Sequence, residues 1–121
     1  MAVKVRKVRQ AVLFDLEGSL TFGQPVEELG AQIQEQLDGG SKNFAINLTG
    51  IKYIDSSGIS ALVSAHTSAL KAEGRCVLFG APERVISAFR VAGLESFVEI
   101  AGDEVSALAR LLEPDLPGGT A

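Results

Sequence analysis

The chain has 121 residues, 46% of them hydrophobic, which suits one compact domain and argues against a second. Its formal net charge of −4 argues against a nucleic-acid binder whose affinity rests on neutralising phosphates. No apolar run approaches the roughly eighteen residues of a membrane span, the N-terminus lacks the apolar block of a signal peptide, and one cysteine makes neither an internal disulfide nor a thiolate metal site, so a cytoplasmic protein is expected.

Basic residues crowd the start. Lys4, Arg6, Lys7 and Arg9 fall in the first ten positions, leaving seven Lys/Arg against fifteen Asp/Glu in the remainder. Val3-Lys4-Val5-Arg6 reads as an edge strand whose charges discourage edge-to-edge aggregation. The same residues also read as a docking strip for an acidic partner. Val12, Phe14 and Leu16 then alternate with Leu13, Asp15 and Glu17, which predicts a strand ending at Gly18. A loop, Gly18–Gln24, follows. Pro25 suits the first turn of a helix, and Val26, Leu29, Ile33 and Leu37 recur at helical spacing until Gly39-Gly40 stops them. Phe44-Ala45-Ile46-Asn47-Leu48 is the next strand, after which a turn at Gly50 leads through Tyr53-Ile54 to a junction at Asp55.

The helix after that junction is expected to bury Ile59, Leu62, Val63 and Leu70, with Gly74 as its terminator. Cys76 to Phe79 is a short apolar run of the kind covered on both faces, so Cys76 reads as a small buried apolar residue. Pro82 starts a helix bearing Val85, Ile86 and Phe89, and Gly93-Leu94 closes it in the manner of a Schellman motif. Phe97 to Ile100 is expected as a last short strand, Asp103 as an N-cap, and Val105, Leu108, Leu111 and Leu112 as the last helical stripe. With two prolines and two glycines, Glu113 to Ala121 reads as a flexible tail beyond a domain spanning residues 1–112. Strands alternating with helices of this length predict an α/β fold, a mixed sheet of four to five strands packed with about four helices.

The chemistry concentrates at Asp55-Ser56-Ser57-Gly58, at the strand-to-helix junction. The first amide N–H groups of a helix lack intrahelical partners and the helix dipole is positive there, so an oxygen-rich group such as a phosphate is stabilised. Asp55, Ser56 or Ser57 capping the helix is the ordinary use of the same residues. An enzyme has poor material to work with. The single histidine, His66, lies ten residues beyond Ser56, roughly 15 Å along a helix, too far to act as its base. Asp-Ser-Ser-Gly is not a nucleophile elbow, no zinc or calcium spacing occurs, and neither glycine-rich phosphate-loop pattern is present. No catalytic residue, metal or cofactor is assigned. What remains is a small binding module with a serine at a helix N-terminus. A small nucleotide- or ligand-binding protein using the same loops is the alternative from another class.

Taken with the strand before it and the small-residue helix after it, Asp55-Ser56-Ser57-Gly58 resembles the STAS domain of bacterial anti-sigma factor antagonists, in an order of elements covering roughly residues 10 to 112. The resemblance implies that Ser56, directly after the aspartate, is the phosphorylated serine. It implies a partner surface built from the Gly18–Gln24 loop and the start of the helix, with Ser19, Thr21, Asp55, Ser56, Ser57, Gly58 and Ile59 as its residues. The implied partners are an anti-sigma factor that is also a serine kinase, released by phosphorylation, and a PP2C-like phosphatase that resets the switch. ATP then belongs to the partner, and the domain acts as a monomer or weak homodimer. The chain departs from well-studied antagonists where they carry acidic residues near the switch serine; Ser19 and Thr21 stand there instead. An unswitched scaffold or adaptor, stressosome-type or transporter-associated, is the reading in which Ser56 only caps.

Overall fold

The computed structural model describes residues 1–112; the expected tail, 113–121, lies outside the described residues. Its elements are β1 (Ala2–Val8), β2 (Ala11–Leu20), α1 (Gln24–Asp38), β3 (Asn43–Ile54), α2 (Ser56–Lys71), β4 (Arg75–Phe79), α3 (Glu83–Ala92), a 3₁₀ turn (Glu95–Phe97), β5 (Ile100–Ala101) and α4 (Glu104–Leu112). The five strands form one mixed sheet in the order β1-β2-β3-β4-β5, with β1 antiparallel to β2 and the other pairs parallel. This is the α/β architecture that the alternation of elements predicts.

Strand order equal to chain order has a consequence for the layers. Right-handed crossovers between successive neighbouring parallel strands deliver their helices to the same face. Accordingly α1, α2 and α3 bury Leu29, Ile33, Ile59, Leu62, Val85 and Phe89 against Phe14, Leu16, Leu20, Phe44, Ile46 and Leu48 on one face. Phe14 and Phe44 meet edge to face there, ring centroids 5.6 Å apart, an arrangement that aromatic quadrupoles favour. Among the described residues α4 alone covers the other face, burying Ala107 and Leu111 on Ala11, Leu13, Ala45, Val77 and Phe79. β4 is therefore covered on both sides, and burial in that apolar layer pushes the Cys76 thiol up to about 12, making it an inert core residue.

Several boundaries differ from the sequence expectation. β2 runs past Gly18 to Leu20, and β3 is one twelve-residue strand with no turn at Gly50. Two register shifts against β2, between Asp15 and Glu17 and between Gly18 and Ser19, give β3 an extra residue each time and break its period-two pattern. Gly50 is small because its α-carbon sits against β2: a Cβ there would approach the Leu16 carbonyl oxygen to 2.8 Å. In α2 the buried stripe is Gly58, Ile59, Leu62, Ala65 and Ala69, while Leu70 is exposed and Val63 half-buried. Its terminal motif uses Glu73 (φ 65°) as the left-handed residue, with the Gly74 N–H donating to Ala69 O at 2.7 Å. Residues 97 to 99 are not strand: the turn ends at Phe97 and β5 begins only at Ile100. Val105 is exposed on α4. The Gly93-Leu94 ending of α3 is as expected, with Gly93 at φ 73° and the Leu94 N–H donating to Phe89 O at 3.0 Å.

Candidate functional site

The carboxyl ends of β2, β3 and β4 all point to one edge of the sheet, so the connections β2–α1, β3–α2 and β4–α3 lie together there. In open α/β sheets a ligand crevice opens where the strand order reverses. This sheet has no reversal. A groove of about 420 Å³ lies elsewhere, over the β1–β3 face, lined by Lys4, Asp15, Glu17, Asn47 and Thr49 among others, and none of the expected site residues lines it.

At the edge, Asp55 is in the extended conformation of an N-cap and its Oδ1 accepts the Gly58 N–H at 2.9 Å. Its other oxygen, Oδ2, accepts the Phe22 N–H from the β2–α1 connection at 3.0 Å. One carboxylate thus ties two loops together. Those two N–H groups, Phe22 first and Gly58 second, hold its pKa below the usual carboxylate range, so Asp55 is an anion at neutral pH. Ser56, the first residue of α2, is exposed; Ser57 behind it is half-buried. With Asp55 capping, Ser56 stands exposed at the positive end of a sixteen-residue helix.

Gly58 and Ile59 do not share that exposure. A Cβ on Gly58 would overlap the Leu20 carbonyl oxygen and reach Ile54 Cγ1 at 2.7 Å, so the absence of a side chain lets α2 start directly against β2 and β3. Ile59 is 3% exposed, in the core. Both residues are buried beneath that edge. Ser19 is exposed on β2, paired in register with Tyr53 of β3, and Thr21 is half-buried just beyond the strand. His66 faces away, its Nδ1 3.4 Å from the Cys76 carbonyl oxygen of β4.

Two residues at this edge were not singled out from sequence. Phe22 is 80% exposed and Tyr53 59%, whereas Phe14, Phe44, Phe79 and Phe89 are buried. Phe22 stands within the expected loop, but nothing in a linear reading ties it to Asp55, 33 residues away. Among the described residues no helix is long and apolar enough to cross a membrane, and no group of three His, Cys, Asp or Glu side chains is placed to hold a metal ion.

The chain belongs to the STAS domain family, whose model matches residues 2–107. Among characterised relatives, the anti-sigma-B factor antagonist of Listeria monocytogenes is 36% identical over 55 residues, 46% of this chain and 48% of the relative. The match therefore spans about half the length of that protein. Among solved structures, the anti-sigma factor antagonist SpoIIAA in its unphosphorylated form aligns with a TM-score of 0.78 at 24% identity, covering 93% of this chain and 97% of that one. The phosphorylated form of SpoIIAA, described as a Bacillus cell fate determinant, aligns with a TM-score of 0.70 at 23% identity, covering 90% and 98%. At these identities the likeness to SpoIIAA is one of fold.

Proposed function

We propose that the protein is an anti-sigma factor antagonist: a cytoplasmic, non-enzymatic regulator that binds a kinase-type anti-sigma factor and is switched off by phosphorylation of Ser56. The observation that carries this reading is the exposed Ser56 at the start of α2, beside an aspartate that already performs the capping. A hydroxyl not needed for the cap is free for modification. The Listeria relative, by its name an antagonist of an anti-sigma factor, supports the same role. The partner region on this reading comprises Ser19, Thr21, Asp55, Ser56, Ser57, Gly58 and Ile59 at the carboxyl edge, with Gly58 and Ile59 in its buried layer. A PP2C-like phosphatase would restore binding by removing the phosphate.

Phosphate suits the position because unpaired helix N–H groups and the dipole stabilise an anion there, although the Asp55 charge next door offsets part of the gain. The domain then keeps its fold, and the effect falls on a partner that packs closely against the unmodified serine. The test is incubation with the cognate kinase followed by intact-mass measurement. One phosphate is expected, abolished by Ser56→Ala and retained in Ser57→Ala. Phosphate mapped to Ser57, or to any serine of α2 beyond it, overturns the assignment.

A further inference from the structure

The Asp55 carboxylate does more than cap α2: it also fixes where the exposed Phe22 ring is presented. Its two oxygens divide the work, Oδ1 taking the Gly58 N–H at 2.9 Å and Oδ2 the Phe22 N–H at 3.0 Å. The Asp55 N–H adds a longer link, 3.4 Å to the Leu20 carbonyl oxygen, so the β2–α1 connection is held to the start of α2 on both sides of Thr21. The ring on this tethered backbone is 80% exposed, and Tyr53, two residues before Asp55, is 59% exposed. Two of the chain's seven aromatic side chains are thus presented at the one edge that carries Ser56. An apolar ring held on a fixed backbone docks with less ordering entropy to lose than one on a free loop.

We infer that Phe22 is the apolar anchor by which the domain engages its anti-sigma factor, and that Asp55 is the positioning residue that holds it for docking. This rests on the reading of the carboxyl edge as the anti-sigma factor surface. The partner's complementary feature is an apolar socket beside a region that approaches Ser56, since buried aromatic anchors dominate the energetics of such interfaces. Asparagine caps a helix as well as aspartate does, but its side chain has a single oxygen acceptor. Asp55→Asn therefore keeps the Gly58 bond and leaves the Phe22 N–H without its acceptor, separating the two duties.

The experiment measures affinity for each purified anti-sigma factor of the source organism with the native chain, Phe22→Ala, Phe22→Leu, Asp55→Asn and the Phe22→Ala/Asp55→Asn double variant. Amide exchange of Phe22 and Gly58 is followed by NMR on the same proteins. Phe22→Ala should weaken binding roughly thirtyfold, the threshold for a hot-spot aromatic, and Phe22→Leu should restore most of it. Asp55→Asn should weaken binding about three- to tenfold, the worth of one ordering hydrogen bond, and lose protection at Phe22 while keeping it at Gly58. In the Phe22→Ala background Asp55→Asn should add nothing, because its effect passes through the ring. Native affinity in Phe22→Ala, or additive losses in the double variant, overturns the inference while leaving the surface itself intact. Failure of the native chain to bind any anti-sigma factor overturns the reading of the surface, and this inference with it.

Discussion

Two helices of this domain begin with the same cap and differ in what surrounds it. At α2 the sequence is Asp55-Ser56-Ser57-Gly58, and Asp55 accepts the Gly58 N–H; at α4 it is Asp103-Glu104-Val105-Ser106, and Asp103 accepts the Ser106 N–H at 2.9 Å. Both carboxylates have pKa values lowered by backbone N–H groups. Capping is therefore not what distinguishes α2. The difference lies in the second arm to Phe22, in a third residue too closely packed to carry a side chain, and in the first helical position. That position in α4 is Glu104, an acid directly after the capping aspartate, bonded to Arg6 at 2.9 Å. The fold thus already accommodates adjacent acidic groups at a helix start, there with Arg6 balancing Glu104, whereas a phosphate on Ser56 beside Asp55 would place more negative charge at α2.

The largest effect expected from this comparison is on binding. Phosphorylation of Ser56 adds about −1.5 to −2 charges at pH 7. With no change of fold it should weaken the partner complex by a few hundredfold, about 3 to 4 kcal/mol. Calorimetric titration gives the loss, and amide NMR shifts should stay within residues 18–24 and 54–62. Chain-wide shifts would show that α2, unlike α4, does not tolerate the charge.

Next in size is the third helical position. Gly58→Ala forces a methyl group into the Leu20 carbonyl and should cost about 1–3 kcal/mol, whereas Ser106→Ala in α4 keeps the capped N–H, loses only a hydroxyl bond to Asp103 and should cost no more than about 1 kcal/mol. Urea melts of the two variants decide whether the close approach is peculiar to α2.

Acid should expose the caps together. Asp55 and Asp103 are joined by Asp15, lowered chiefly by Arg6, and Glu99, lowered chiefly by Arg75. All four folded pKa values lie below their unfolded ones, so the unfolded chain binds more protons and their contribution, complete near neutrality, is lost as pH falls below about 4. Asp55→Asn and Asp103→Asn should each flatten the decline in melting temperature between pH 6 and 3, and an unchanged profile in either would remove that cap from the balance. The smallest effect belongs to Ser57→Ala, which leaves both Asp55 bonds in place and should alter stability by less than about 0.5 kcal/mol.

How much of this was legible in the sequence depends on the distance over which each feature acts. The helices, the doubly covered β4 and the Asp103 cap follow from local pattern. Gly18 and Gly50 misled because glycine marks both a turn and a place where another strand comes close; here β2 and β3 run on through bulges. Leu70 and Val105 were expected inside because large aliphatic residues attract a helical stripe, while the real stripe of α2 is made of Gly58, Ala65 and Ala69 around Ile59 and Leu62. Leu13 was assigned to the polar side of β2, yet α4 covers it. At the candidate site the sequence narrows the cap to Asp55, Ser56 or Ser57 and the structure assigns it to Asp55, while Ser56 is singled out by the family resemblance. The Phe22 tether could not, since it joins two loops that meet only when β2 and β3 are paired.

Arg6 joins the first strand to the last helix. Its guanidinium bonds Asp15 at 2.6 Å on β2 and Glu104 at 2.9 Å across 98 positions of sequence. During synthesis, β1 to β4 leave the ribosome before α4 does, so Ala11, Leu13, Ala45, Val77 and Phe79 form an apolar sheet face with nothing to cover it. That apolar face stays open until the nine-residue α4 emerges and Arg6 finds its second carboxylate. A chain ending before residue 104 would therefore carry a sheet with one face dressed by α1, α2 and α3 and the other bare.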